Sequence, residues 1–134
     1  MIAIYHDAKS FFFLTIVLFG NGRVMCWGWG NMGQPGLDST ANVGAPGTMA
    51  SHSYIEFSDT IPAYQISYSA RHACALLVNS RVRCWGKNVE QQLGNRNTYN
   101  IGSGPGVSSI RRAEFVVFAA SINTLAVTTV ATGT

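Results

Sequence analysis

Residues 74–95 read CALLVNSRVRCWGKNVEQQLGN, and this stretch decides the fold because much of it occurs twice. Displaced by 58 positions, Leu76 falls on Leu18, Asn79 on Asn21, Arg81-Val82 on Arg23-Val24, and Cys84-Trp85-Gly86 on Cys26-Trp27-Gly28. The match continues without a gap: Gln92 on Gln34, Gly94 on Gly36, Thr98 on Thr40, Asn100 on Asn42, Gly102 on Gly44. That makes twelve identities between residues 18 and 44 and their counterparts. One extra residue then displaces Pro105-Gly106 from Pro46-Gly47, and Glu114-Phe115 returns to register with Glu56-Phe57. A fixed period of this kind signals a repeat architecture, in which each unit buries its faces against its neighbours.

Each unit reads as a β-hairpin followed by a long glycine-rich loop. Ala73 to Val78 and Arg81 to Trp85 are short β-compatible runs flanking Asn79-Ser80, and the first copy carries the stronger Asn21-Gly22 turn signal. Alternation along Arg81–Trp85 places Val82 and Cys84 on one face and Arg81, Arg83 and Trp85 on the other. After the tryptophan, residues 86–106 are polar and broken by Gly, Asn and Pro, which suits a surface connection. Tyr64 to Ser69 (YQISYS) alternates apolar and polar and predicts a third strand before the second hairpin. No window shows an amphipathic helical period of helix length.

Several short strands per unit, with a tryptophan and glycines at fixed offsets, predict an all-β fold of antiparallel repeat sheets. The string above and NGRVMCWGWGNMGQPG (residues 21–36) resemble the repeat of the regulator of chromosome condensation family. Those units run small-apolar strand, Gly turn, strand ending in Trp-Gly, then Asn and a Gly-Gln-Leu-Gly loop. The resemblance makes Cys26, Trp27, Gly28, Gln34 and Gly36, and Cys84, Trp85, Gly86, Gln92, Leu93 and Gly94, the repeat signature. It implies about two blades of a β-propeller, seven-bladed when enough units are present. Pro35, Gln91 and Ser80 depart from it, standing for the first loop's leucine, the second loop's first glycine and the turn glycine.

The expected organisation is a divergent segment 1–15, two repeat units over 16–121 with hairpins at 16–28 and 73–86, and a truncated third strand and tail over 122–134. Ile122 to Val127 (INTLAV) resembles a small-apolar strand arriving early, and no third Cys-Trp-Gly follows. Two units are fewer than the roughly three a repeat array generally needs, so exposed faces and edges predict self-association or a missing remainder.

The chain has 134 residues, 47% hydrophobic and only 11% charged, with a formal net charge of +3. That suits a single core rather than a disordered chain and is too mild a charge to announce nucleic-acid binding. Phe11 to Phe19 is a nine-residue apolar run, far short of the roughly 20 residues that span a bilayer. It fits a signal-peptide core or a buried strand, and the repeat favours the strand.

Motifs that imitate chemistry are explained by the repeat. Residues 28–33 (GWGNMG) are a literal G-x-G-x-x-G, but Gln34-Pro35-Gly36 leads into more loop, where a dinucleotide site needs a helix. Gly86, Asn88 and Gln91 stand at the same places in the other copy, so no cofactor is expected. His72 and Cys74 share a strand face but lack the second ligand pair of a zinc site, and His6 and His52 have no ligand spacing. A turn through Val78 to Ser80 sets Cys74 opposite Cys84, where a disulfide fits. A two-residue turn opposes Ala75 to Cys84 instead, leaving two small buried thiols as the alternative. Cys26 stays free either way. A bridge would favour an extracellular or luminal setting, and free thiols the cytoplasm or nucleus.

Arg71, Arg81, Arg83 and Lys87 gather around the second hairpin; Arg81, Arg83, Trp85 and Lys87 form a candidate contact face for an acidic protein surface. The resemblance implies a non-enzymatic platform for protein partners. The family's best-known member promotes guanine-nucleotide exchange on a small GTPase and docks on chromatin, and a bacterial relative inhibits β-lactamases. No residue here matches a site for those activities. A regulator of a small GTPase and a truncated product without independent function are the competing expectations.

Overall fold

A computed structural model describes residues 3–6, 14–44, 53–57, 61–69 and 71–111. The expected strand at Ile122 to Val127, the first part of the Phe11 to Phe19 run, His52 and the Glu114-Phe115 match lie outside them.

The fold is all-β. Strands β1 (Ala3–His6), β2 (Leu14–Leu18) and β3 (Val24–Gly28) form one antiparallel sheet, and β4 (Ala63–Tyr68), β5 (His72–Leu77) and β6 (Val82–Gly86) form a second, in the orders β1-β2-β3 and β4-β5-β6. The third strand expected before the second hairpin is β4. Its counterpart is β1, so residues read as divergent supply a strand of the first sheet. β2 begins at Leu14, inside that same segment.

Both hairpins turn through three residues. Phe19 N–H bonds the Arg23 carbonyl and Gly22 N–H the Phe19 carbonyl, each at 2.9 Å, and Leu77, Arg81 and Ser80 repeat this pattern. Asn21 and Asn79 each accept from the N–H two residues on, at 3.1 Å. The third turn position lies at positive φ, 81° for Gly22 and 66° for Ser80. A type I turn closed by a left-handed residue explains this, and in the second hairpin it is the turn through Val78 to Ser80 rather than the two-residue alternative. The resulting register sets Cys74 opposite Cys84.

The loops repeat as well. Gly28 and Val43 exchange backbone hydrogen bonds of 2.8 and 2.9 Å, and Gly86 and Ile101 do so at 2.8 and 3.0 Å. Asn42 Oδ1 accepts from Gly30 N–H and Asn100 Oδ1 from Asn88 N–H, both at 2.9 Å. Residues 54 and 55 extend the first sheet beyond β3, where Ile55 N–H bonds the Val24 carbonyl at 2.8 Å.

One core serves both sheets: Leu14, Ile16, Leu18, Val24 and Cys26 of the first join Ile66, Leu76, Val82 and Trp85 of the second. Every residue of β5 and β6 is buried. A strand covered on both faces no longer alternates between core and solvent, so period-two reasoning assigns faces there but not exposure.

Candidate interaction site at the seam and its loops

The seam is built from the first unit's loop and the second unit's hairpin. Trp85 is fully buried, and its Nε1 donates to the Gln34 carbonyl at 2.9 Å. That oxygen also faces the Cys26 thiol at 3.6 Å. The Trp85 ring packs on Phe57, with centroids 5.5 Å apart. Gly36 leaves room for it: a Cβ there would stand 3.2 Å from Trp85 Nε1. Gly33 lies against the second loop, where a Cβ would meet Gly102 C and Ser103 N at 2.5 Å. These glycines of the G-x-G-x-x-G run and its neighbour serve loop packing.

Asp38 completes the clasp from a left-handed backbone, φ 54°. Its carboxylate accepts from Ser109 Oγ at 2.6 Å and from Ile110 N–H at 2.7 Å. The Ile110 carbonyl takes Arg83 Nη1 at 3.0 Å. Sequence reading missed Asp38, because comparison of the copies counted identities, whereas position 96, 58 further on, holds an arginine.

The proposed contact face is therefore not assembled. Arg83 is 2% exposed and donates to the Ile110 carbonyl, and Trp85 is closed off against Gln34 and Phe57 of the first unit, so the face that alternation assigned to them is covered from two sides. Arg81 is exposed at the turn. Lys87 is partly buried and paired with Glu90 at 2.7 Å. That hydrogen bond leads the influences that pull the Glu90 carboxyl below its ordinary range.

The signature residues divide between frame and packing. Gln34 and Gln92 turn their side chains back to the N–H two residues earlier, on Met32 at 2.8 Å and Glu90 at 3.0 Å. Leu93 is buried, and its N–H bonds Asn88 Oδ1 at 3.0 Å. Asn88 Nδ2 in turn donates to Asn95 Oδ1 and to Asn97. Gly28, Gly86, Gly36 and Gly94 all take positive φ.

Cys74 and Cys84 form a disulfide, their Cα atoms 4.0 Å apart at a non-hydrogen-bonded position of the hairpin. Cys26 stands outside the disulfide and is fully buried, and burial pushes its thiol up, far from reactivity at neutral pH. His72 is 3% exposed with Nδ1 3.1 Å from Ser69 Oγ, and burial lowers its pKa. Among the described residues no three His, Cys, Asp or Glu side chains gather as a metal site. Nor is any helix there long and apolar enough to cross a membrane.

Two open surfaces among the described residues lie near the seam and its loops. A cleft of about 240 Å³ lies between the first turn and the chain entering β4, lined by Arg23, Ile55, Glu56, Phe57, Ile61 and Pro62 among others. Arg23 stacks 3.7 Å above the Tyr54 ring at its side. The second loop exposes Val89, Tyr99 and Val107, at 55%, 51% and 63%.

Residues 64–92 match the family model of the Regulator of chromosome condensation (RCC1) repeat, the span holding the second hairpin and the start of its loop. The resemblance read from the sequence is borne out there. The chain is 29% identical over 80 residues to the ultraviolet-B receptor UVR8 of Arabidopsis thaliana, covering 60% of this chain and 17% of that protein. Its fold is similar to that of human WBSCR16, with a TM-score of 0.57 at 17% identity over 67% of this chain and 22% of that one. The chain thus spans less than a quarter of each of these two proteins.

Proposed function

We propose that this chain is a non-enzymatic protein-interaction module whose second loop binds a protein partner. The observation that carries this reading is Val89 and Tyr99, both more than half exposed. They stand on backbone that Asn88 ties to Asn97 and Asn100. Large apolar side chains held out by a fixed frame lose little entropy on docking, which is the chemistry of an interface anchor. The polar side chains of the seam are spent on the scaffold, with Gln34, Asp38 and Arg83 all bonded within it. The family match supports the same reading. The Cys74–Cys84 bridge supports an oxidising compartment as the setting.

The test is affinity capture with the full chain, followed by binding measurements on the purified partner. Val89→Ala with Tyr99→Ala is expected to weaken binding at least tenfold with the fold retained, whereas Tyr64→Ala, at the bulge in β4, leaves it unchanged. Equal affinity for all three proteins would overturn the assignment of the second loop.

A further inference from the structure

The two units carry the same loop, so the grip of the first loop on the second unit is a template for what the second loop offers outward. Two positions that close the first grip are altered in the second. Asp38, which holds the Ser109 hydroxyl and the Ile110 N–H, becomes Arg96, also left-handed at φ 65° and exposed. An acceptor of two donors is thereby replaced by a donor seeking oxygens. Gly33, whose missing Cβ admits Gly102 and Ser103, becomes Gln91 at φ 60°, exposed and carrying that Cβ. A segment shaped like residues 101–103 cannot seat there.

The frame itself is kept. Gly94 has φ 66° where Gly36 has 71°, and the bonds from Gln91 N–H to the Asn88 carbonyl and Gly94 N–H to the Gln91 carbonyl repeat those of Gly33 and Gly36. Donors are in excess on this frame. Glu90, the loop's one carboxylate, is already bonded to Lys87, and among the described residues Arg96 makes no ion pair. Beside it, Asn95 is 2% exposed and among the described residues its Nδ2 finds no acceptor, while its Oδ1 is held by Asn88 Nδ2 at 3.0 Å.

We propose that the loop Gln91–Arg96 is a docking face for an acidic segment of a partner protein, with Arg96 taking the carboxylate. It is not a seam for a second copy of this chain, which would bring the Gly44 backbone against Gln91 in the geometry of the internal seam. This deepens the reading of the second loop as a partner site and rests on it.

The test pans a random-peptide display library against the full chain and measures the selected peptides by fluorescence polarisation. Binders are expected to be rich in Asp and Glu. Arg96→Glu is expected to weaken them about tenfold or more, while the same charge change at Arg23→Glu shifts affinity less than twofold. Binders that Arg96→Glu leaves untouched but Tyr99→Ala weakens would overturn the acidic assignment and keep the interaction reading. A library that returns no binder would remove both. Self-association of the chain in sedimentation, abolished by Arg96→Glu, would overturn the proposal by assigning the face to a second copy.

Discussion

Trp85 Nε1 donates to the main-chain carbonyl of Gln34 at 2.9 Å, across 51 positions of sequence and from one sheet to the loop of the other. Both residues belong to the repeat signature, and each has a counterpart 58 positions away. The bond is thus a contact between units, and it sets the distance at which the first loop lies on the second hairpin. Trp85→Phe keeps a ring against Phe57 but takes the indole donor from that carbonyl. The expected loss is about 1–2 kcal/mol in urea denaturation, against about 3–5 kcal/mol for Trp85→Ala.

Gly33 and Gly104 separate packing from mere flexibility. Gly33→Ala drives a Cβ into the Gly102–Ser103 backbone at 2.5 Å from a left-handed conformation, φ 79°. It is expected to cost about 2 kcal/mol or more. Nothing lies within 4 Å of a Cβ at Gly104, so Gly104→Ala should stay within about 0.5 kcal/mol of the parent. Thermal melts of the two variants check the contrast.

Ser80 occupies, at φ 66°, the place that Gly22 holds in the first turn. A left-handed serine costs roughly 1 kcal/mol, so Ser80→Gly is expected to stabilise the chain by up to about that much. Gly22→Ala should do the reverse, because its Cβ would overlap Pro62. Denaturation midpoints of both variants carry the comparison.

The three cysteines should behave differently towards alkylation. Cys26 is sealed and its thiol pushed up, so native protein is expected to react with iodoacetamide only at the global unfolding rate, read by mass spectrometry. Removing the Cys74–Cys84 bridge by a double serine substitution should cost up to about 3 kcal/mol, the closure entropy of a short loop.

His72 adds a pH dependence. Burial lowers its pKa from the ordinary 6.5, so the folded chain keeps it neutral where the unfolded chain takes up a proton. Stability from this group is complete above about pH 6.5 and falls as the pH drops towards the lowered value, because the unfolded state there binds the extra proton. Denaturation between pH 7.5 and 5 should show that slope, and His72→Gln should flatten it.

The hairpins, the strand before the second one and the repeat loops are legible in local residue pattern, because turn chemistry and strand alternation act over a few neighbours. The first sheet's outer strand was not, since residues 3–6 pair with β2 without carrying a repeat signature. Nor was the contact face: Arg83 and Trp85 alternate correctly along β6 yet are both buried, Trp85 against a loop 51 positions away and Arg83 against Ile110, 27 positions on. Asp38 carried a signal in the sequence, but as a difference between copies.

By itself, then, the sequence determined the period of 58, the all-β units and the family resemblance, because these follow from local geometry repeated. Tertiary structure decided what each signature residue does. It chose the three-residue turn that pairs Cys74 with Cys84, turned Trp85 and Arg83 inward, and left Arg96 in solvent where Asp38 is clasped. Burial and hydrogen-bond partners depend on which distant segment arrives, and alternation along a strand carries no information about that.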